Sequence, residues 1–225
     1  MKYEMHVQDE NLYEAIELAK KLGWEGICIT TKWKHDLTPP KIKKKGIDVA
    51  IGVEIEAKPH EIRKILPNIR KSFEIIMVRG GDLEVNREAV ENPLVDVLLS
   101  PWGPRNSLRD DSGFNHIMAK LANKNNVAIE FNFSDLMYSY KKTRIRLLSH
   151  ISKAAKLVNK YNAPFIISSG ARDAWDLKSP SELISLGKTL GLTNNKIKKS
   201  ISDKIVKENR KRLSGSWIMP GVELE

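Results

Sequence analysis

Ala163-Pro-Phe-Ile-Ile-Ser-Ser-Gly-Ala-Arg-Asp-Ala-Trp175 is the stretch on which the reading of the fold turns. Phe165-Ile166-Ile167, with Ala163 ahead of it, is a short apolar run after a long helical pattern, and it reads as a buried strand. The run stops at Ser168-Ser169-Gly170-Ala171, a turn of small residues, after which the chain presents Arg172, Asp173 and Trp175. In an α/β sheet or barrel the loops that follow the strands form the functional face. The turn is therefore a place for chemistry, and the rest of the chain decides which kind.

The same alternation extends outward in both directions. Short apolar runs predict strands at residues 3–7, 26–30, 48–54, 74–79, 95–100, 127–133 and 165–169. Leu12, Ala15, Ile16, Ala19 and Leu22 fall at helical spacing, with Asp9 placed as N-cap and Gly23 past the end. Further helices are predicted over 59–71, 85–91, 113–125 and 143–161, with Pro67 expected to kink or split the first of these. Ser179-Pro-Ser-Glu182 is a capping box with proline at the first helical position, and Gly191 stops that helix. Ile197, Ile201 and Ile205 mark the apolar stripe of one more amphipathic helix. Seven strands alternating with helices imply a parallel α/β architecture, either doubly wound or a (β/α)7-8 barrel of TIM type. The pattern fills one domain over residues 1–213; residues 214–225 lack periodicity and read as a tail, disordered until something binds it.

Composition narrows the class. The chain has 225 residues, 41% of them hydrophobic, which is enough for one domain with a substantial core. No apolar run approaches the ~20 residues that cross a bilayer. Met1-Lys-Tyr-Glu-Met-His6 lacks the apolar core of a signal peptide, so a cytoplasmic location is expected. Cys28 is the single cysteine, which excludes an internal disulfide and a cysteine-cluster zinc site; within Gly26-Ile-Cys-Ile-Thr30 it reads as a small buried hydrophobe.

Charge is the informative quantity. Lysine and arginine number 38 against 28 acids, a net charge of +10 that points to a polyanionic partner, above all nucleic acid. Balanced enrichment in lysine and glutamate, as in some thermophiles, does not produce such an excess. The first 31 residues are acidic; residues 32–45 carry six lysines against Asp36, and 194–213 carry eight bases against Asp203 and Glu208.

Glu4-Met-His-Val-Gln8 resembles the opening strand of the polymerase-and-histidinol-phosphatase (PHP) family of metal-dependent phosphoesterase barrels. That family opens with aspartate, histidine and histidine at alternate positions, on one face of a strand. Here His6 matches the central histidine, Glu4 stands in for the aspartate and Gln8 replaces the second histidine. Gly52-Val-Glu54 matches the family's glycine-x-glutamate ligand motif. Ser168-Ser-Gly-Ala-Arg172 lies where the family has serine-aspartate-alanine-histidine, without the aspartate or the histidine. Glu4, His6 and Glu54 are thus vestigial metal-ligand candidates, too few for a multinuclear site. His35, His60, His116 and His150 sit in helical or loop contexts. Neither a metal nor another cofactor is expected, and no nucleophile–base pair can be assigned.

A basic PHP-like barrel without the metal ligands resembles a narrower family, the archaeal ribonuclease P protein component 3, counterpart of the eukaryotic thirty-kilodalton subunit. Leu99-Ser-Pro-Trp102, Asn115-His-Ile-Met-Ala-Lys-Leu121, Ile167-Ser-Ser-Gly-Ala171, Trp175-Asp176 and Pro180-x-x-Leu183-Ile-Ser-Leu-Gly187 carry the resemblance in order along the chain. The resemblance implies a non-catalytic subunit of a ribonucleoprotein whose RNA removes the 5′ leader of tRNA precursors. It also implies pairing with a small ferredoxin-like subunit. The rival reading is a PHP phosphoesterase that uses Glu4, His6 and Glu54.

On the barrel reading, Lys32, Lys34, Arg79, Arg105 and Arg172 follow successive strands on one face, with Arg109 and Lys178 in the same loops. Lys141, Lys142 and Arg144 follow the sixth strand beside Tyr138 and Tyr140. This set is the candidate RNA-binding surface, with the tyrosines placed to stack on bases. Trp33, Trp102 and Trp175 follow strands on that face too, suited to packing, to RNA or to a protein partner. The 41–45 lysine run and Arg210, Lys211 and Arg212 are weaker candidates, because charge runs are usually solvated.

Overall fold

The computed structural model describes residues 1–8, 12–40, 42, 46–103, 111–214, 217–219 and 222–223. Seven parallel strands lie side by side in sequence order. They are β1 (Tyr3–Val7), β2 (Gly26–Lys32), β3 (Asp48–Ile55), β4 (Ile75–Arg79), β5 (Val97–Leu99), β6 (Ala128–Asn132) and β7 (Phe165–Ser168). Helices α1 (Leu12–Lys21), α2 (Pro59–Ile69), α3 (Leu83–Glu91), α4 (His116–Asn125), α5 (Phe133–Met137) and α6 (Lys141–Tyr161) fill most of the crossovers. Helices α7 (Pro180–Thr189), α8 (Asn194–Ser200) and α9 (Lys204–Leu213) follow β7. Strands buried on both faces need unbroken apolar runs, which is why they are legible as such.

The sheet curls until β7 meets β1. At the strand C-terminal end Val7 bridges Ala171, and the Gln8 N–H donates to the Ala171 carbonyl at 2.7 Å. At the other end the Tyr3 N–H donates to the Ile201 carbonyl at 2.7 Å. The second closure explains a departure from the expected single helix through Ile197, Ile201 and Ile205. The chain leaves helical geometry at 201–203 so that this carbonyl and the Asp203 side chain, 3.5 Å from the N-terminal amine, meet the start of β1. Two helices therefore replace one.

Other departures are smaller. Helix α2 is continuous through Pro67, because a proline in the last turn removes one intrahelical bond and the Arg70 N–H still reaches the Leu66 carbonyl. Helix α5 is too short to show a period. Trp217–Met219 and Val222–Glu223 pair as a separate antiparallel ribbon, β8 and β9. The expected cap Asp9 lies outside the described residues.

The interior is layered. Met5, Cys28, Ala50, Met77, Val97, Ala128 and Ile166 form an apolar cluster inside the barrel. Two residues further along the same strands, on the same face, come Thr30, Arg79, Glu130 and Ser168. Apolar filling thus gives way to polar groups at the C-terminal mouth.

Candidate functional site

At the mouth His6, Glu54, Arg79 and Glu130 converge from β1, β3, β4 and β6. The His6 Nδ1 lies 2.6 Å from Glu130 Oε1, and its Nε2 lies 3.7 Å from Glu54 Oε2, an ion pair rather than a hydrogen bond. Glu54 also accepts from the Arg79 guanidinium and the Gln8 amide. Glu130 accepts from the Ser168 hydroxyl at 2.7 Å. Glu4 accepts from the Ser169 hydroxyl at 2.6 Å and from its N–H. Strict alternation of Glu4, His6 and Gln8 on one face fails. Between Glu4 and Val7 the register with β2 slips, three residues of β1 against two of β2, as in a β-bulge. Glu4 accordingly turns to Ser169 while His6 and Gln8 turn to Glu54.

Burial drives each titration, and the neighbours decide the outcome. Burial alone would lower the His6 pKa, but the carboxylate of Glu130 overrides it and pushes the imidazole up to about 10. Burial would raise Glu54, yet the facing His6 imidazole and the bonded Arg79 guanidinium hold it down to about 2. Glu130 is likewise held low, against its burial, by the charge of His6. Glu4, desolvated by burial, rises to about 7 despite its bonds from Ser169 and the nearby charge of His6. At neutral pH two internal cations therefore balance two carboxylates.

That balance decides whether the metal of PHP enzymes fits. A divalent ion needs neutral imidazole and unpaired carboxylate. Here Glu130 holds the imidazole toward its protonated form, Glu54 is taken by the Arg79 guanidinium, and Gln8 offers an amide in place of an imidazole. Among the described residues no group of three or more His, Cys, Asp or Glu could hold a metal ion. The donor set does not fit, and Arg79 with His6 supplies the positive charge from within.

The turn after β7 is the clasp of this mouth. Besides the bonds of Ser168 and Ser169 to Glu130 and Glu4, Gly170 takes a left-handed φ of +58° against the Asn132 side chain, where an added Cβ would fall 2.1 Å from its amide. Asn132 in turn caps α5, accepting from the Ser134 N–H at 2.8 Å.

The predicted cations separate into groups. Arg79 is committed to Glu54 and belongs to the mouth. Lys32, Lys34, Lys141, Lys142 and Arg172 are exposed at the strand C-terminal side, and Lys32 and Lys34 line a groove with Gln8 and Thr30. Lys178 is half-buried, its ammonium 5.6 Å from the Phe133 ring centroid. Arg144 is exposed but donates to the Ser139 carbonyl at 2.6 Å and lies over the Tyr140 ring. Arg105, Arg109 and the lysines at 41 and 43–45 lie outside the described residues. Arg210 is no part of a solvated charge run: it donates to Asp48 at 2.5 Å and to Glu74, at the opposite end of the barrel. Trp102 is buried, against Phe131; Trp33 is half-buried at the core edge; Trp175 stands in solvent.

Glu130 escaped the reading of the sequence. Its signal was there, a single carboxylate inside the apolar run 127–133, since a charge in a doubly buried strand demands a partner. The bonds of Ser168 and Ser169 had no such signal.

Known proteins share this fold. A family model described as RNase P subunit p30 matches residues 1–214. The ribonuclease P protein component 3 of Haloarcula marismortui is 36% identical over 183 residues, 80% of this chain and 75% of its own length. A chain in the cryo-EM structure of an archaeal ribonuclease P with mature tRNA superposes with a TM-score of 0.82 at 28% identity, over 98% of this chain and 97% of that one. The zinc-containing histidinol phosphate phosphatase of Lactococcus lactis matches with a TM-score of 0.53 at 13% identity, over 88% and 93%, a likeness of fold alone. With a family model covering all but the last residues and an archaeal relative above a third identical, the chain belongs to the RNase P subunit p30 family.

Proposed function

We propose that this chain is a non-catalytic protein subunit of ribonuclease P, binding and helping to fold the RNA that removes the 5′ leader of tRNA precursors. The observation that carries the reading is the mouth. Where a phosphoesterase of this fold needs open ligands for metal, this chain has a closed ion cluster, and its exposed charge lies on the surrounding rim. Lys32, Lys34, Lys141, Lys142, Arg172 and Lys178 are the cations proposed to meet phosphates, and Arg105 and Arg109, outside the described residues, are proposed to join them. Each neutralised phosphate adds affinity through counterion release and steepens the salt dependence.

In this reading residues 1–213 act as one barrel within a cytoplasmic ribonucleoprotein, alongside other ribonuclease P subunits, among them a small ferredoxin-like partner. The tRNA precursor is met indirectly, through the RNA. Among the described residues no helix is long and apolar enough to cross a membrane. Reconstituted tRNA-precursor processing, with and without this chain, tests the proposal: cleavage should rise when the chain is added, and binding to ribonuclease P RNA should fall steeply as salt rises. Cleavage indifferent to the chain, or a flat salt response, would overturn it. The chain alone should not hydrolyse a chromogenic phosphate ester, with or without added zinc or manganese.

A further inference from the structure

Trp175 is 79% exposed, more than any other large hydrophobic side chain among the described residues. The 3-10 turn that presents it (Ala174–Asp176) is nonetheless held from several sides. The Asp173 carboxylate accepts from the Asp176 N–H at 3.1 Å. Asp176 accepts from the Arg172 N–H at 3.3 Å and from the Tyr138 hydroxyl. The Lys178 N–H donates to the Ser169 hydroxyl at 2.9 Å, and its carbonyl accepts the Trp24 indole N–H at 2.8 Å. Leaving an indole in water forgoes its burial, and a turn this well braced holds it there in a fixed position.

The bond between Tyr138 and Asp176 ties this turn to the loop before α6. There Tyr140 is 67% exposed, with the Arg144 guanidinium 5.5 Å from its ring centroid. Arg172, Lys141 and Lys142 stand exposed on the same two segments, whereas Asp173 and Asp176 are engaged in capping and bracing bonds. Exposed rings set among cations are the composition of a surface for single-stranded nucleic acid, in which rings stack on bases while cations follow the backbone. Lysine is depleted at protein–protein interfaces, so the charge favours RNA over a protein partner.

We propose that Trp175 and Tyr140 form a stacking platform for unpaired bases, with Arg172, Lys141 and Lys142 holding the adjoining phosphates. The proposal rests on the RNA-binding reading above and deepens it: the site takes a single-stranded element, whose base faces are open, rather than a duplex.

The test measures affinity of the full chain for ribonuclease P RNA and for a short single-stranded adenylate oligonucleotide. Trp175→Ala should weaken both by about 5- to 100-fold, the range of a lost base stack. Tyr140→Ala should weaken them less, Trp175→Phe should retain most of the affinity, and thermal unfolding should not move. The oligonucleotide should also quench wild-type tryptophan fluorescence and leave that of Trp175→Phe unquenched, a readout that holds even if the alanine variant folds poorly. Unchanged affinity and equal quenching in the variants, with the wild type still binding RNA, would overturn the platform and leave the RNA-binding reading standing. A wild type that binds no RNA would remove that reading itself. Intact RNA affinity with lost association to other ribonuclease P proteins would assign the surface to a protein partner and overturn the proposal.

Discussion

Both ends of the barrel hold ion clusters, and they are built in opposite ways. At the C-terminal mouth every charged member, His6, Glu54, Arg79 and Glu130, comes from a strand, so the cluster closes on itself within the barrel wall. At the N-terminal end Asp48, Glu74 and Asp96 stand at the feet of strands, and the cations come from outside. Arg70, at the end of α2, donates to Asp96 at 2.6 Å and to the carbonyls of Phe73 and Glu74 at 2.9 Å each. Arg210 on α9 donates to Asp48 and Glu74, and Asn209 to Asp96 at 2.8 Å. The lower cluster fastens helices to the barrel. The upper one, among the described residues, links strands and the residues that directly follow them. The same kind of interaction is a staple for helices at one end and a self-contained cluster at the other.

The comparison can be broken, first at the lower end. Arg70→Ala should cost about 3–5 kcal/mol, the usual penalty for stranding a buried charge, because Asp96 and two carbonyls lose their donor together. At about 2–4 °C per kcal/mol for a chain of this size, thermal unfolding should fall by roughly 10 °C. A shift of a degree or two would show that Arg70 is no staple. Arg79→Met at the mouth should cost less, about 2–3 kcal/mol, since His6 still faces Glu54. Its affinity for ribonuclease P RNA should stay within twofold of wild type, in the order-of-magnitude sense of a group making no phosphate contact. Lost RNA affinity with unchanged unfolding would turn the mouth from an internal cluster into a binding surface.

The pH response sharpens the contrast further. A histidine raised in the folded state contributes stability that is complete below its unfolded value, near 6.5, and is lost as pH rises through the folded value of about 10. Glu54, depressed to about 2, contributes stability present above its ordinary 4.5 and lost as pH falls toward 2. Glu4, raised to about 7, acts against the fold as pH climbs from 4.5 toward 7. The chain should therefore lose unfolding temperature between pH 7 and pH 10, and His6→Gln, less stable throughout, should show a flatter decline over that window. Parallel curves for the two proteins would mean that His6 is not protonated at neutral pH. On the rim the effect on stability should be smallest. Lys142→Ala with Arg172→Ala should leave unfolding nearly unmoved and reduce the slope of log affinity against log salt by about two.

How much of this was legible varies by element. Strands β3, β4 and β7 could be placed almost to the residue, because doubly buried parallel strands write themselves as apolar runs between turn signals. The capping box at Ser179 fixed the start of α7, and its bonds are present. The split between α8 and α9 was illegible, since the isoleucine stripe continues across it and the break serves a contact with Tyr3, far away in sequence. At the site, His6 and Glu54 stood out by their resemblance to a ligand motif. Arg79 was recognised as a strand-end cation but its ion pair with Glu54 was not, because nothing along the chain tells a cation aimed into the mouth from one aimed at solvent.

By itself, the sequence determined the alternation of strands and helices, the parallel α/β class and the excess of positive charge, while the barrel was implied only by resemblance to a known family. Those properties reside in local pattern and composition, which no folding step can alter. Tertiary structure alone decided which cations are spent inside the molecule and which remain outside. It turned Arg79 and Arg210 inward to carboxylates at opposite ends, bent β1 so that Glu4 meets Ser169, and left Trp175 on a braced turn in water. The physical reason is that pairing and burial depend on distance in space, and residues such as His6 and Glu130, 124 positions apart, become neighbours only when the barrel closes.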